Sequence, residues 1–309
     1  MKLAFLYAGQ GAQHVGMGRD LYEIYPAFRQ VLDSAPVDFD LKTLCFDGPE
    51  DQLNDTRYTQ PCMVAFAAGV TALLREAGIT PDYAAGLSLG EYSALQCAGV
   101  FDAKTAISLV AFRGQAMADA VQGRPCGMAA VLGMDRDALK AVCAEASDAG
   151  VVECTNFNCP GQIVISGDAA AVDKAGELAK AAGAKRVLPL KVSGPFHTSL
   201  MAPAGDALRE KFQNVDFGAM EIPVLFNCLG DLKGEADTIP NLLEQQVQSS
   251  VYLEDTIRRL GELGVDTVVE IGPGRTLSGF VKKTVKGIKC YPVETAEELQ
   301  AAIAALRGE

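Results

Sequence analysis

Apolar and polar positions change their rhythm along the chain in a way that predicts most of its elements. Leu3–Tyr7 is an unbroken apolar run that stops at Gly9, which predicts a buried strand followed by a glycine-rich turn. Residues 19–34 carry helical spacing. Residues 59–77 repeat it and end at Gly78, a favourable C-cap. Residues 81–87 predict a second strand, broken at Ser88-Leu89-Gly90, with a helix over 91–97 behind it. Asp102 caps a further helix that reaches Val121. Strands alternating with helices predict a parallel sheet covered on both faces.

The pattern changes at Gln122-Gly123-Arg124-Pro125. Strands are predicted over 127–132, 151–157, 162–166 and 186–191, with helices over 136–147 and 169–182. That is βαββαβ, the order of a ferredoxin-like unit. After Val192 long helices and buried strands return, the strands at 222–227, 265–271 and 289–293. The fold class expected is α/β: a large domain of residues 1–123 and 193–309, with a small ferredoxin-like subdomain of 124–192 inserted in it.

Composition narrows the function. The chain has 309 residues, 49% of them hydrophobic and 21% charged, enough for a sizeable core and too apolar for disorder. With 27 Lys+Arg against 39 Asp+Glu, its formal net charge is −12, which argues against nucleic acid as a partner. Nine scattered cysteines without a CxxC, and only two histidines, argue against a zinc site and fit a reducing compartment. Residues 1–11 lack the pattern of a signal peptide, and the most apolar stretch, 63–74, is too short to span a bilayer. A cytoplasmic protein without a membrane partner is expected.

Gly86-Leu87-Ser88-Leu89-Gly90 is a G-x-S-x-G motif between a predicted strand and a predicted helix. In that setting the serine stands on a sharp turn, and the helix start offers N–H groups to an oxyanion. A serine nucleophile needs a base. Only His14 and His197 are available. His14 follows the first strand and its Gly9-Gln10-Gly11 turn, which can share the crevice at the carboxyl ends of parallel strands. His197 stands where the chain leaves the small segment. Clefts form at such junctions, and that favours His197. Arg113 falls inside the apolar stripe of the 102–121 helix. A charge there needs a partner; an internal carboxylate and a substrate carboxylate facing Ser88 fit the spacing equally.

Weaker signals remain. Gly272-Pro273-Gly274 reads as a turn opening a helix, or as an anion-binding turn. Lys185-Arg186 and the lysines 282, 283, 286 and 289 form two basic clusters.

Five motifs occur in order: Gly9-Gln10-Gly11-Ala12-Gln13, Gly86-Leu87-Ser88-Leu89-Gly90-Glu91-Tyr92, Arg113-Gly114, Gly194-Pro195-Phe196-His197 and Glu270-Ile271-Gly272-Pro273-Gly274. Together they resemble the malonyl-CoA:acyl carrier protein transacylases, a family that includes acyltransferase domains of polyketide and fatty acid synthases. The likeness runs from about Leu3 to about Val293. It implies a hydrolase-like α/β domain with an inserted ferredoxin-like subdomain. It implies Ser88 as nucleophile, His197 as base, and the backbone N–H groups of Gln10 and Leu89 as oxyanion hole. Arg113 would hold the malonyl carboxylate, and Phe196 would crowd an α-methyl branch. A backbone carbonyl would orient the base; counting back from Gly272 puts it near Tyr252. Malonyl-CoA and an acyl carrier protein are the implied partners; no cofactor or metal, and a monomer, are expected. Lys185 and Arg186 are the implied carrier-docking residues.

Two positions depart from the family. Leu87 stands where histidine is usual, and Ala8 where proline is usual. Neighbours at a sharp elbow project differently, so Leu87 is expected to alter the pocket and spare the mechanism. The rival readings are a serine hydrolase such as a thioesterase, a trans-acting acyltransferase of a polyketide synthase, and a non-catalytic carrier-docking scaffold. A thioesterase shares the elbow but has no need of Arg113.

Overall fold

All five residues of β1 (Leu3–Tyr7) are buried, as an uninterrupted apolar run requires of a strand covered on both faces. The structure is a computed structural model that describes residues 1–121, 123–191 and 194–308. The expected domain boundaries border on Gln122, Val192 and Ser193, which lie outside the described residues. The remaining strands are β2 (Tyr83–Gly86), β3 (Cys126–Leu132), β4 (Val152–Cys159), β5 (Gln162–Asp168), β6 (Arg186–Pro189), β7 (Leu225–Phe226), β8 (Asp231–Leu232), β9 (Thr267–Ile271) and β10 (Lys289–Val293). The chain separates into two compact units. One comprises Met1–Gly114, Asp216–Phe226 and Ile257–Glu309; the other Gln115–Val215 and Asn227–Thr256.

The first unit is α/β, built on a parallel sheet in the order β10-β9-β1-β2. The register aligns the strand ends: Tyr7 faces both Gly86 and Ile271, and Ile271 faces Val293. The segments that follow these four strands therefore leave the sheet along one edge, the edge where open α/β sheets carry their sites.

The second unit holds an antiparallel sheet in the order β4-β5-β3-β6. Its elements follow the sequence β3, helix Arg136–Ala146, β4, β5, helix Ala169–Ala181, β6. Alternate residues of the strands, Ala129, Val131, Ile163 and Ile165, meet Leu139, Val142, Ala171 and Ala175 of the helices in one core.

Local chemistry corrects several expectations. The single helix expected over 19–34 is two, Arg19–Ile24 and Pro26–Asp33, because a residue before proline is held out of the helical region; Tyr25 has φ −110° and ψ 114°. The long helix starts earlier than its apolar run, at Thr56, since Asp55 caps it by accepting from Arg57 N–H. The strand expected over 222–227 shrinks to Leu225–Phe226, with a single parallel bridge from Val224 to Ala84. No helix is long and apolar enough to cross a membrane among the described residues. The nine cysteines form no disulfide.

Candidate active site

Between the end of β2 and the helix Gly90–Cys97 the chain has three residues in which to reverse. Ser88 absorbs the turn with φ 57°, in the left-handed region that side chains seldom adopt. The turn is closed by Leu87 N–H donating to the Tyr7 carbonyl at 3.0 Å and by Glu91 N–H donating to the Ser88 carbonyl at 3.0 Å. The flanking glycines are required by space. A Cβ on Gly86 would lie 2.1 Å from the Gly90 carbonyl carbon, and one on Gly90 would lie 2.4 Å from the Tyr7 oxygen.

The loop after β1 runs beside this elbow. A Cβ on Gly9 would approach the Leu87 carbonyl oxygen to 2.6 Å and the Leu87 Cγ to 3.0 Å, so Leu87 packs on the loop itself. The Gln10 side chain donates to Thr56 Oγ1 at 2.9 Å, and Gln13 donates to Asn54 at 2.7 Å. These bonds tie the loop to the start of the long helix. No described residue accepts a hydrogen bond from the backbone N–H of Gln10 or of Leu89. The second is the free N–H expected at a helix start.

Arg113, on the helix Ala103–Asp119, has no exposed surface. Its guanidinium donates to Gln60 Oε1 at 2.8 Å and to Ser88 Oγ at 3.1 Å, and lies 5.6 Å from the centre of the Tyr92 ring. Burial pushes its pKa down; Tyr92 and Glu91 nearby push it back up. A buried fork of donors beside a serine hydroxyl can receive a planar anion attached to whatever that hydroxyl attacks.

In the second unit His197 is buried and also has a positive φ, 61°. Its Nδ1 lies 2.9 Å from the Gln246 carbonyl oxygen. A carbonyl only accepts, so Nδ1 carries a proton; in the neutral ring the lone pair is then on Nε2, the tautomer a base requires. This corrects the expectation of Tyr252. Gln246 lies in the last turn of the helix Ile239–Val247, where carbonyls have no intrahelical partner. The Tyr252 carbonyl instead accepts from Thr256 N–H at 3.0 Å and Thr256 Oγ1 at 3.1 Å, and its ring stacks on Phe157. Ser88 and His197 are the only non-glycine residues with positive φ among the described residues. Such strain costs about 1–3 kcal/mol each and gathers at functional sites.

His14, the other histidine, is half-exposed and engaged elsewhere. Nδ1 lies 3.0 Å from the Val15 carbonyl, and Nε2 is bonded to Glu294. Burial lowers its pKa, but the Glu294 bond leaves it raised. The Gly272-Pro273-Gly274 turn is not an open anion seat either. The buried Glu270 carboxylate takes the N–H groups of Leu277 at 2.8 Å and Ser278 at 2.7 Å, which fills the start of the helix Thr276–Thr284.

The profile of the acyl transferase domain matches residues 4–304. The chain belongs to the acyl transferase domain family. It is 44% identical over 311 residues to the malonyl CoA-acyl carrier protein transacylase of Bacillus subtilis, covering 100% of this chain and 98% of that protein. The crystal structure of the Clostridium perfringens malonyl CoA-acyl carrier protein transacylase matches with TM-score 0.95 at 38% identity, over 100% of this chain and 98% of that one. A malonyl-transacylase in complex with its type II PKS acyl-carrier protein matches with TM-score 0.95 at 39% identity, over all of both chains.

In this acyl transferase domain the first unit brings Ser88, Leu89, Gln10 and Arg113 onto neighbouring segments; His197, Phe196, Lys185 and Arg186 belong to the second. Phe196 is buried, and Lys185 and Arg186 are exposed. Sequence reasoning missed Gln60 and Gln246, and gave Glu270, though part of a family motif, no role. Gln60 left a faint signal, an amide within an apolar helical run, which needs a partner when buried. Gln246 left none, because it acts through its backbone.

Proposed function

We propose that this acyltransferase carries a malonyl group from malonyl-CoA to the pantetheine thiol of an acyl carrier protein, by way of an ester on Ser88. The observation that carries the reading is the fully buried Arg113 guanidinium 3.1 Å from Ser88 Oγ. A donor held there selects a thioester with a free carboxylate. An acetyl group would leave the charge without the anion, and sites of that kind discriminate strongly. Phe196 adds selectivity against an α-methyl branch.

The transfer has two halves. His197 Nε2 takes the Ser88 hydroxyl proton as Oγ attacks the thioester carbonyl. The N–H groups of Gln10 and Leu89 receive the oxyanion. The C–S bond breaks, and His197 returns the proton to the CoA sulfur. The carrier thiol then gives its proton to His197 while its sulfur attacks the ester. Ser88 leaves and recovers its proton. Gln246 holds the imidazole in the required tautomer throughout.

We read residues 124–192 as a ferredoxin-like subdomain inserted in a hydrolase-like domain of 1–123 and 193–309. The βαββαβ order and the β4-β5-β3-β6 pairing support that reading. The enzyme is expected to be a cytoplasmic monomer. The relatives named above support the carrier-protein role, whether in fatty acid synthesis or for a polyketide synthase.

The test is mass spectrometry of the protein after brief exposure to malonyl-CoA or acetyl-CoA. A malonyl adduct on Ser88, absent with acetyl-CoA and discharged by carrier protein faster than by water, is the expected result. Discharge to water at the same rate with and without carrier would identify a thioesterase instead.

Carrier docking is expected at Lys185 and Arg186. The chain is acidic overall, so attraction to an acidic carrier must be local. β6 is an edge strand that exposes Leu188 beside these two cations. Replacing both cations by glutamate should raise KM for carrier protein several-fold and leave acylation by malonyl-CoA unchanged. The difference should shrink at high salt. Unchanged kinetics in both half-reactions would move docking to Lys282 and Lys283.

A further inference from the structure

We propose that Glu153 is a positioning residue for the His197 base, and that β4 mounts both the imidazole and the carbonyl that orients it; this rests on the role given to His197 above. The Glu153 carboxylate accepts twice from Ser199. One oxygen takes the Ser199 N–H at 3.1 Å and the other takes the Ser199 hydroxyl. Ser199 is two residues beyond His197, and between them Thr198 closes the turn by donating from Oγ1 to the Pro195 carbonyl at 2.6 Å. The arm that carries the ring is therefore tied to β4.

The arm that carries the carbonyl is tied to the same strand. Ser250 Oγ donates to the Cys154 carbonyl at 2.7 Å. Val251 N–H donates to the Thr155 carbonyl at 2.7 Å, and Phe157 N–H donates to the Val251 carbonyl at 2.9 Å. The register of β4 on β5 jumps between Cys154 and Asn156, which makes Thr155 the extra residue of a bulge. Bulges re-aim a strand, and here the bulge offers its carbonyl to Val251 in place of β5. Ser250 is four residues beyond Gln246, whose carbonyl fixes Nδ1 of His197. Five consecutive residues, Glu153 to Phe157, thus include the anchors of both arms.

The reason for so many restraints is the φ of 61° at His197. A strained residue keeps its conformation only where its surroundings over-determine it. Removing the Glu153 fork lets the 195–199 turn relax toward ordinary backbone and turns Nε2 away from its aim. Small errors of aim are expensive in rate and cost nothing in ground-state binding of malonyl-CoA.

The experiment measures the rate of Ser88 acylation by malonyl-CoA, by rapid quench and mass spectrometry, for Glu153→Ala and Glu153→Gln, each alone and combined with His197→Ala. Glu153→Ala should lower kcat for acylation about tenfold with KM for malonyl-CoA unchanged. Glu153→Gln should recover most of it, because the amide oxygen still accepts the Ser199 N–H; it also keeps the test open if the alanine variant does not fold. In the His197→Ala background, Glu153→Ala should cause no further loss. Wild-type acylation by folded Glu153→Ala, or the same fractional loss with and without His197, would overturn the proposal. A His197→Ala enzyme as fast as wild type would remove the base assignment and this proposal with it, whereas wild-type protein with no adduct on Ser88 would refute the proposed function itself.

Discussion

Ser88→Ala, exposed to malonyl-CoA and denatured at once, is expected to carry no acyl group, and its transfer to carrier protein should fall to background. The expectation follows from the elbow. Among the described residues Ser88 alone combines a hydroxyl, a left-handed backbone and a guanidinium donating to its oxygen. The substitution should leave the fold intact, because the glycines at 86 and 90 provide the close packing of the turn. An alanine at φ 57° is no worse placed than the serine it replaces. An adduct retained at another residue would show that the nucleophile is elsewhere.

His197→Ala is expected to slow acylation of Ser88 by about 10² to 10⁴, the usual worth of a positioned base. The hydroxyl would remain beside Arg113, but nothing would take its proton. His14→Ala should retain most of the activity, because both nitrogens of that ring are committed to Val15 and Glu294. The two variants compared under one set of conditions decide between the histidines. A silent His14→Ala enzyme with an active His197→Ala enzyme would reverse the assignment.

What could be read from the sequence was what repeats or what is chemically singular. β1 announces itself as an unbroken apolar run, the long helix by its period, and the six elements from β3 to β6 by their βαββαβ order. Ser88 was visible because an elbow demands glycines at fixed offsets. Arg113 was visible because a charge interrupts an apolar stripe. The break at Tyr25 was also written in the sequence, as the proline that follows, but helical spacing on both sides concealed it. The carbonyl behind His197 could not be read at all. Every residue has a carbonyl, and which one is left over depends on where the helix Ile239–Val247 ends. Counting from a distant motif landed six residues away, on Tyr252. Glu270 was hidden for another reason. Its partners are N–H groups seven and eight residues ahead, a relation fixed by the turn between them and not by any side chain. The pairing of His14 with Glu294 spans 280 positions, beyond any local pattern.

The order β10-β9-β1-β2 also sets a timetable for the growing chain. β1 lies between β2 and β9, and its partner on the second side begins only at Thr267. The loop with Gln10 therefore cannot rest on a finished sheet until more than four-fifths of the polypeptide has been made. The sheet of β3 to β6 needs only residues 126–189 and closes over short connections. Loop-closure entropy favours that local unit first and makes the nucleophile's sheet the late, cooperative step. A ribosome paused near residue 250 would hold a folded antiparallel sheet downstream of an elbow still without its floor. Pulse proteolysis of such stalled chains should find the 126–189 segment protected well before Ser88.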